Sequence, residues 1–150
     1  MQSDVEIHRA TVADLDALVP LFDAYRQFYR QTSAPEQARQ FLLDRFEHSQ
    51  SIIFLALAGA AAIGFTQLYP SFSSAAMARI FILNDLFVTP EARRSGVGSA
   101  LLQAAAEYGR HTGAVRLVLS TELSNTAAQS LYEKTGWKRD TVFCAYALML

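Results

Sequence analysis

A short turn rich in arginine and glycine has the residue types and spacing to bind phosphate. Residues 93–98 read RRSGVG and lie between a segment that predicts a strand and one that predicts a helix. Glycine lets the backbone approach a ligand closely and adopt dihedral angles that other residues avoid. The first turn of a helix offers free amides and the positive end of its dipole, and arginine adds charge-assisted hydrogen bonds. These residues indicate a pyrophosphate site; the alternative is an ordinary turn with two solvated arginines.

Two other phosphate motifs do not match this turn. The dinucleotide-binding fingerprint needs a third glycine where this chain has Leu101. A P-loop needs Gly-Lys followed by Ser or Thr, and the chain contains no such sequence.

The spacing Arg93-x-x-Gly96-x-Gly98 resembles the coenzyme A-binding signature of the GNAT N-acetyltransferase superfamily. A downstream segment is similar to the second characteristic motif of that superfamily; its matching residues are Asn125, Ala128, Leu131, Tyr132, Glu133, Lys134, Gly136 and Trp137. The order of predicted elements also resembles the GNAT fold over nearly the whole chain. The segment around Tyr25 and Tyr29 and the strand LNDLFV are similar to the branch with polyamine- and histone-acetylating members.

The resemblance implies acetyl-CoA as cosubstrate, without a metal. In GNAT enzymes the pantetheine arm lies between two splayed strands, so the backbone of Leu86, Phe87 and Val88 is expected to pair with it. One of these amides would polarise the thioester carbonyl, and such a donor is worth about 3–4 kcal/mol in other enzymes. Asn125 would hydrogen-bond the coenzyme, and it also suits the N-cap of a helix. The residues implied to hold the pyrophosphate are Arg93, Arg94, Ser95, Gly96, Val97, Gly98 and Ser99.

Tyr132 matches the usual general acid of the family, which protonates the departing thiolate. A phenol with a pKa near 10 can protonate a thiolate whose conjugate acid has a pKa of about 8.5 when the geometry is favourable. The alternative is a half-buried aromatic residue on a helix.

The general base is less directly indicated. Many family members place a glutamate at positions that align here with Ile82 and Asn84, and neither of these can accept a proton as a carboxylate. Asp85 is adjacent, but side chains alternate along a regular strand, so it would point to the other face. A β-bulge would re-aim it. The alternative is that Asn84 orients a water and solvent takes the proton.

The acceptor amine is expected over the first two helices and a loop at residues 70–76. Four residues are candidates to attract a cationic amine there: Asp23, Tyr25, Tyr29 and Glu36. The alternative for each is an ordinary surface or core position.

The element pattern predicts one mixed α/β domain over residues 1–150. We expect strands at 5–8, 51–58, 61–69, 79–88 and 114–121, with one or two more from Trp137 onward. Helices are expected after Thr11, from Pro35, at 97–112 and at 125–135, with Thr11 and Asp14 forming a capping box.

The amino-acid composition excludes several classes of protein. Apolar residues make up 51% of 150 residues, which excludes disorder, and the net charge of -1 provides no general basic field for nucleic acid. The charge-free stretch between Glu47 and Arg79 fits two buried strands better than a membrane span, which needs ~20 apolar residues. The single cysteine, Cys144, excludes an internal disulfide and favours a cytoplasmic location.

Two functions remain open from the sequence. The favoured one is an acetyl-CoA-dependent N-acetyltransferase that acts on a small-molecule or peptide primary amine by direct transfer in a ternary complex. The other is a non-catalytic acyl-CoA-binding or regulatory module. The apolar C-terminal strand would support either a homodimer or the core of a monomer.

Overall fold

The computed structural model describes residues 4–150, which form two compact units, 4–120 and 121–150. The first unit contains β1 (Val5–Arg9), α1 (Leu15–Phe28), α2 (Pro35–Glu47), β2 (Ile52–Ala58), β3 (Ala61–Ser73), β4 (Ala78–Val88), α3 (Val97–His111) and β5 (Leu117–Val118). The second unit contains α4 (Thr126–Lys134).

The strands form one mixed sheet in the order β1-β2-β3-β4-β5. The first four strands pair antiparallel, and β5 pairs parallel with β4. The charge-free stretch contains the hairpin of β2 and β3, in which residues 52–56 and 64–68 are buried. The predicted mixed α/β fold and the interpretation of this stretch as buried strands are therefore confirmed.

Helices cover both faces of this sheet. Ile53 and Leu55 of β2 pack in one cluster with buried residues of α1 and α2. The intervening Phe54 points to the other face, where its ring lies 5.9 Å from that of Tyr108 on α3. The capping box predicted before α1 is also present, since Thr11 Oγ1 accepts from the backbone of Ala13 and Asp14 Oδ2 accepts from the Thr11 amide at 2.8 Å.

A β-bulge interrupts the pairing of β3 with β4. Gln67 pairs with Asp85, but the next residue, Leu68, pairs with Leu83, so Asn84 is the extra residue. Paired residues face the same side of a sheet, and Gln67 and Leu68 face opposite sides. Asp85 and Leu83 therefore also face opposite sides, although they are two residues apart in sequence. The bulge directs Asp85 to the α1 and α2 face.

One edge of β4 is largely without a strand partner. β5 pairs with β4 only at Phe81 and Ile82. Beyond Ile82, no described strand pairs with this edge, while β3 continues along the opposite edge as far as Val88. The sheet is thus open along the second half of β4, residues 83–88, where the splay of two strands was expected.

The predicted loop at 70–76 is wrong in its first half. β3 continues to Ser73, and Pro70 pairs with Phe81. Pairing of β3 with β2 ends at Leu68. Pro70 therefore lies on an edge stretch of β3, where a residue without a backbone N–H is tolerated.

The strand predictions near the C-terminus are also wrong. β5 comprises two residues instead of the expected 114–121, and residues 137–150 contain no strand. Asp140 Oδ1 instead accepts the amides of Val142 and Phe143 at 2.8 and 2.9 Å, which is a local turn. Apolar composition alone does not supply the partner strand that a ladder requires. None of the helices formed by residues 4–150 is long and apolar enough to cross a membrane.

Candidate active site

The turn at 93–99 presents a run of free amide donors at residues 94–99. We find no backbone hydrogen bond donated by the amides of residues 94–99, and the first described donor after them is Ala100, which donates to Gly96. Gly96 has φ of 86°, a left-handed conformation, and Arg94 has φ of 63°. A Cβ at Gly96 would meet no atom within 4 Å, so the backbone conformation rather than space favours glycine there.

These amides lie immediately before and within the first turn of α3, a helix of 15 residues. Free amides at the start of a long helix suit the oxygens of a pyrophosphate, so the turn fits the phosphate portion of coenzyme A. Gly98 and Ser99 lie in the first turn of α3, and Val97 is buried beneath them.

Arg93 has a structural role in addition to its place in the motif. Its Nε donates to the Val88 carbonyl at 3.0 Å. Its guanidinium carbon lies 5.7 Å from the ring centres of Phe28 and of Phe87. Both Arg93 and Arg94 are exposed, and Arg93 in addition holds the turn against the end of β4. The Ser95 hydroxyl donates to the Ala92 carbonyl within the same turn.

The three residues expected to pair with the pantetheine arm lie at the open edge of β4. Leu86, Phe87 and Val88 pair on their other side with Thr66, Phe65 and Gly64. A Cβ at Gly64 would lie 2.8 Å from the Phe87 carbonyl oxygen, so this pairing requires glycine.

A cleft of about 370 Å³ lies between α1, α2 and the sheet, on the face to which the bulge directs Asp85. Three aromatic side chains of its lining, Phe22, Tyr25 and Phe41, form a stack, with ring centres 5.6 Å apart for Phe22 and Phe41 and 6.2 Å apart for Phe22 and Tyr25. The remaining lining residues are Arg26, Gln37, Ala38, Tyr69, Asn84 and Asp85.

Asp85 is buried in this cleft, with 2% of its surface exposed. Gln67 Nε2 donates to Asp85 Oδ2 at 2.5 Å, and Asn84 Nδ2 donates to Oδ1 at 2.9 Å. Burial raises the pKa of this carboxyl, and hydrogen bonds from Gln67, Asn84 and Tyr25 partly oppose the rise. A carboxylate with a raised pKa is a better proton acceptor near neutral pH than an exposed one.

The pKa values of two tyrosines in the cleft are also raised, chiefly by burial. Burial and the Asp85 charge raise the pKa of Tyr25 and of Tyr69 well above its usual value. Tyr25 Oη donates to the Asn84 carbonyl at 3.3 Å, which connects α1 to the bulge.

The predicted acceptor residues do not all line this cleft. Asp23 accepts from Ser33 Oγ at 2.7 Å and from the Ala34 amide at 2.8 Å, which lowers its pKa and fastens the end of α1 to the start of α2. Glu36 lines a separate, open depression beside α2. Tyr29 packs against Tyr25, with ring centres 5.0 Å apart.

The sequence did not single out Gln67, Tyr69 or Phe41. Gln67 reaches Asp85 only across the register of two strands. Tyr69 lies on β3 and Phe41 lies on α2. The sequence of neither segment by itself shows that it packs near α1. Spacing within one segment gives no signal for any of them.

The second unit holds two further predicted residues. Asn125 Oδ1 accepts from the Ala128 amide at 3.1 Å, so Asn125 caps α4, as one of its two interpretations predicted. Tyr132 is half-buried on α4, with its ring 6.1 Å from that of Trp137. Within residues 4–150, we find no group of three or more His, Cys, Asp or Glu side chains arranged to hold a metal ion.

Comparison with known proteins establishes the family. The model of the Acetyltransferase (GNAT) family matches residues 16–137. An uncharacterized N-acetyltransferase of Bacillus subtilis is 49% identical over 144 residues, which are 96% of this chain and 97% of that protein. The crystal structure of a probable acetyltransferase superposes with a TM-score of 0.92 at 46% identity and covers 97% of each chain.

A more distant structure shows the fold alone. An aminoglycoside N-acetyltransferase solved in complex with CoA superposes with a TM-score of 0.84 at 18% identity, over 100% of this chain and 98% of that one. The mixed sheet, the helices on both of its faces and these matches agree: the chain belongs to the GNAT acetyltransferase family and contains the domain of an N-acetyltransferase.

Proposed function

We propose that this protein transfers the acetyl group of acetyl-CoA to a small primary amine bound in the cleft of Asp85. The observation that carries the proposal is the β-bulge at Asn84. It directs the one carboxylate of β4 into an aromatic cleft, beside the open edge of the same strand. Asp85, the proposed proton acceptor, is therefore next in sequence to Leu86, the first residue expected to pair with the pantetheine arm.

The coenzyme is proposed to lie along the open edge of β4 and over the turn at 93–99. The amides of residues 94–99 would donate hydrogen bonds to the pyrophosphate oxygens, with Arg94 alongside. Arg93 would act mainly by holding the turn against Val88. The backbone of residues 86–88 would pair with the pantetheine arm, and one amide would donate to the oxyanion that forms at the thioester carbonyl.

Direct transfer requires two proton movements. The nitrogen of the neutral amine attacks the thioester carbon, and the tetrahedral intermediate collapses with loss of the coenzyme A thiolate. Asp85 would take the proton lost by the amine, directly or through a water, and Tyr132 would protonate the thiolate. An ordinary alkyl amine with a pKa near 10.4 is mostly protonated at neutral pH, so a base in the cleft increases the reactive fraction.

The cleft favours a compact acceptor. Its volume of about 370 Å³ is at the lower end of the range for small-molecule sites, about 300–1,000 Å³. Aromatic faces near a buried carboxylate suit a cationic amine on a slender chain, because both groups attract positive charge. A side chain or small molecule that ends in an aminomethyl group would fit better than a large polycyclic amine.

The test is thiol release from acetyl-CoA, measured with a panel of polyamines, amino acids, aminoglycosides and lysine peptides. We expect release that depends on the amine and is strongest for compact primary amines. The Tyr132→Phe variant should lose most of its turnover and keep its affinity for coenzyme A. Unchanged turnover in that variant would remove Tyr132 from the mechanism.

The alternative is a module that binds acyl-CoA without turnover, since the usual glutamate positions hold Ile82 and Asn84. Saturable binding of acetyl-CoA with no release across the panel would favour this alternative. The cytoplasmic location and the homodimer also stay predictions.

A further inference from the structure

A second cavity, of about 480 Å³, lies at the end of the sheet where β1 ends and β4 begins. The last turns of α2 and α3 also contribute to it, through Phe46 and Tyr108. Tyr108 is ten residues beyond Gly98 on α3, which corresponds to about 15 Å along the helix axis. None of the lining residues of this cavity belongs to the turn at 93–99 or to the cleft of Asp85.

The charged residues that line this cavity are all basic. Arg9 and Arg79 both line it, and no Asp or Glu does. Neither guanidinium forms a hydrogen bond or an ion pair within residues 4–150. Two like charges that face one cavity repel each other unless an anion lies between them. The carbonyl ends of α2 and α3 are nearby, but neither arginine donates to them.

An aromatic cluster holds both guanidiniums. The Arg9 carbon Cζ lies 5.1 Å from the ring centre of Tyr108. The Arg79 Cζ lies 4.5 Å from the ring centre of Phe72 and 5.8 Å from that of Phe81. Phe81 and Tyr108 are themselves in contact, with ring centres 5.4 Å apart. The two arginines therefore lie on adjoining parts of one cluster.

Contact with aromatic rings orients a guanidinium without using its N–H groups. All the donors of Arg9 and Arg79 therefore remain available, on side chains whose freedom is already reduced. Such donors match the oxygens of a doubly charged tetrahedral anion.

We propose that this cavity is a binding site for a small phosphate dianion, held by Arg9 and Arg79 and separate from the coenzyme site. The ligand is free phosphate or the phosphate group of a small monoester. Its oxygens accept from both guanidiniums, and its charge removes the repulsion between them.

The test is titration calorimetry with inorganic phosphate and, separately, with glycerol 3-phosphate, in chloride buffers of matched ionic strength. Arg9→Gln and Arg79→Gln should each weaken phosphate binding about tenfold or more, since charge-assisted hydrogen bonds are lost. Arg79→Lys should retain part of the affinity. Circular dichroism of each variant establishes that it is folded.

Two matched controls locate the binding. Arg110→Gln removes the same charge from an exposed position on α3 and should change affinity less than twofold. Arg94→Gln removes an arginine of the coenzyme turn and should leave phosphate binding at the cavity intact. Equal affinities for the two probes indicate free phosphate as the ligand, and tighter glycerol 3-phosphate binding indicates a monoester.

Three results would overturn the proposal. The first is absence of phosphate binding to the wild-type protein at tens of millimolar. The second is binding that Arg94→Gln abolishes while Arg9→Gln and Arg79→Gln leave it unchanged, which would place phosphate only at the turn. The third is an equal loss in Arg110→Gln and Arg79→Gln, which would show a response to net charge alone.

Discussion

The turn at 93–99 and the cleft of Asp85 are built in opposite ways. The turn consists of consecutive residues, is mostly exposed, and has backbone donors with no acceptor. The cleft draws on four elements, and its carboxylate is buried and already hydrogen-bonded through both oxygens. The turn thus leaves its backbone donors unpaired, whereas the carboxylate of the cleft accepts hydrogen bonds from neighbouring side chains.

This difference indicates where each region is sensitive to change. A backbone site depends on conformation, so it should respond to residues that alter φ and ψ and tolerate many side-chain changes. A site made by one buried carboxylate depends on the identity and hydrogen bonds of that group. Substitutions confined to one of the two regions should therefore affect different properties of the protein.

The largest effect is expected for Asp85→Asn. Loss of a general base typically costs 10²–10⁴-fold in rate, so we expect kcat to fall by at least about 100-fold. The affinity for coenzyme A should stay within about twofold, because the turn is untouched. Steady-state kinetics and calorimetry measure the two quantities.

Glu36→Gln provides the acidic control for that variant, since Glu36 is exposed and lies outside the cleft. It should change kcat little. Equal losses in Asp85→Asn and Glu36→Gln would mean that overall charge, not proton transfer, matters at the cleft.

The next effect is expected for Gly96→Ala, which forces a residue with a Cβ to adopt φ of 86°. The strain costs roughly 1–2 kcal/mol. If the turn holds the pyrophosphate, a backbone shift that relieves this strain also misplaces its amides. We expect the Kd for coenzyme A to rise about tenfold, with kcat at saturation much less affected.

Gly113→Ala is the matched control, because Gly113 has φ of 78° at the other end of α3 and also has open space around its Cβ position. It should lower the midpoint of thermal unfolding by a similar amount and leave coenzyme affinity unchanged. Loss of affinity in both variants would mean that strain acts through global stability.

A smaller effect is expected for Gln67→Met. Gln67 Nε2 donates to Asp85 Oδ2, and this bond lowers the pKa of the carboxyl against the effect of burial. Without it the pKa should rise further, so the acidic limb of the kcat/KM profile should move to higher pH. Well above that limb, the rate should differ only a few-fold from wild type. A limb that stays in place would show that another group controls it.

The smallest effect concerns stability. The pKa of Asp85 is higher in the folded protein than in the unfolded chain, so the folded state binds more protons between these two values. Stability linked to this group is therefore greatest below the unfolded pKa and declines as pH rises through the folded pKa. Asp85→Asn, which has no such charge to bury, should gain thermal stability relative to wild type at neutral pH and lose that advantage near pH 4. The opposite pH trend in thermal melts would contradict the raised pKa.

The contrast between the two regions also explains what the sequence predicted well. The turn, the capping box before α1 and the cap of α4 are local, so spacing along the chain was sufficient to place them. Asp85 was predicted as a base only if a bulge occurred, and the bulge depends on how β4 aligns with β3. That alignment involves residues nearly 20 positions apart.

The remaining errors have the same origin. Gln67 and Tyr69 were missed because they reach the cleft across strands, and the C-terminal strands were wrong because apolar alternation does not specify a partner. The catalytic role of Tyr132 and the coenzyme contacts of Asn125 stay predictions.

The open edge of β4 has a consequence for handling the protein. Unpaired backbone groups on a strand edge are a template on which another chain can add a strand, and this is a common start of aggregation. The edge is flanked by apolar residues such as Leu86 and Val88. If coenzyme A covers this edge as proposed, concentrated samples should remain clear longer when it is present, and its removal by dialysis should be the step at which turbidity first appears.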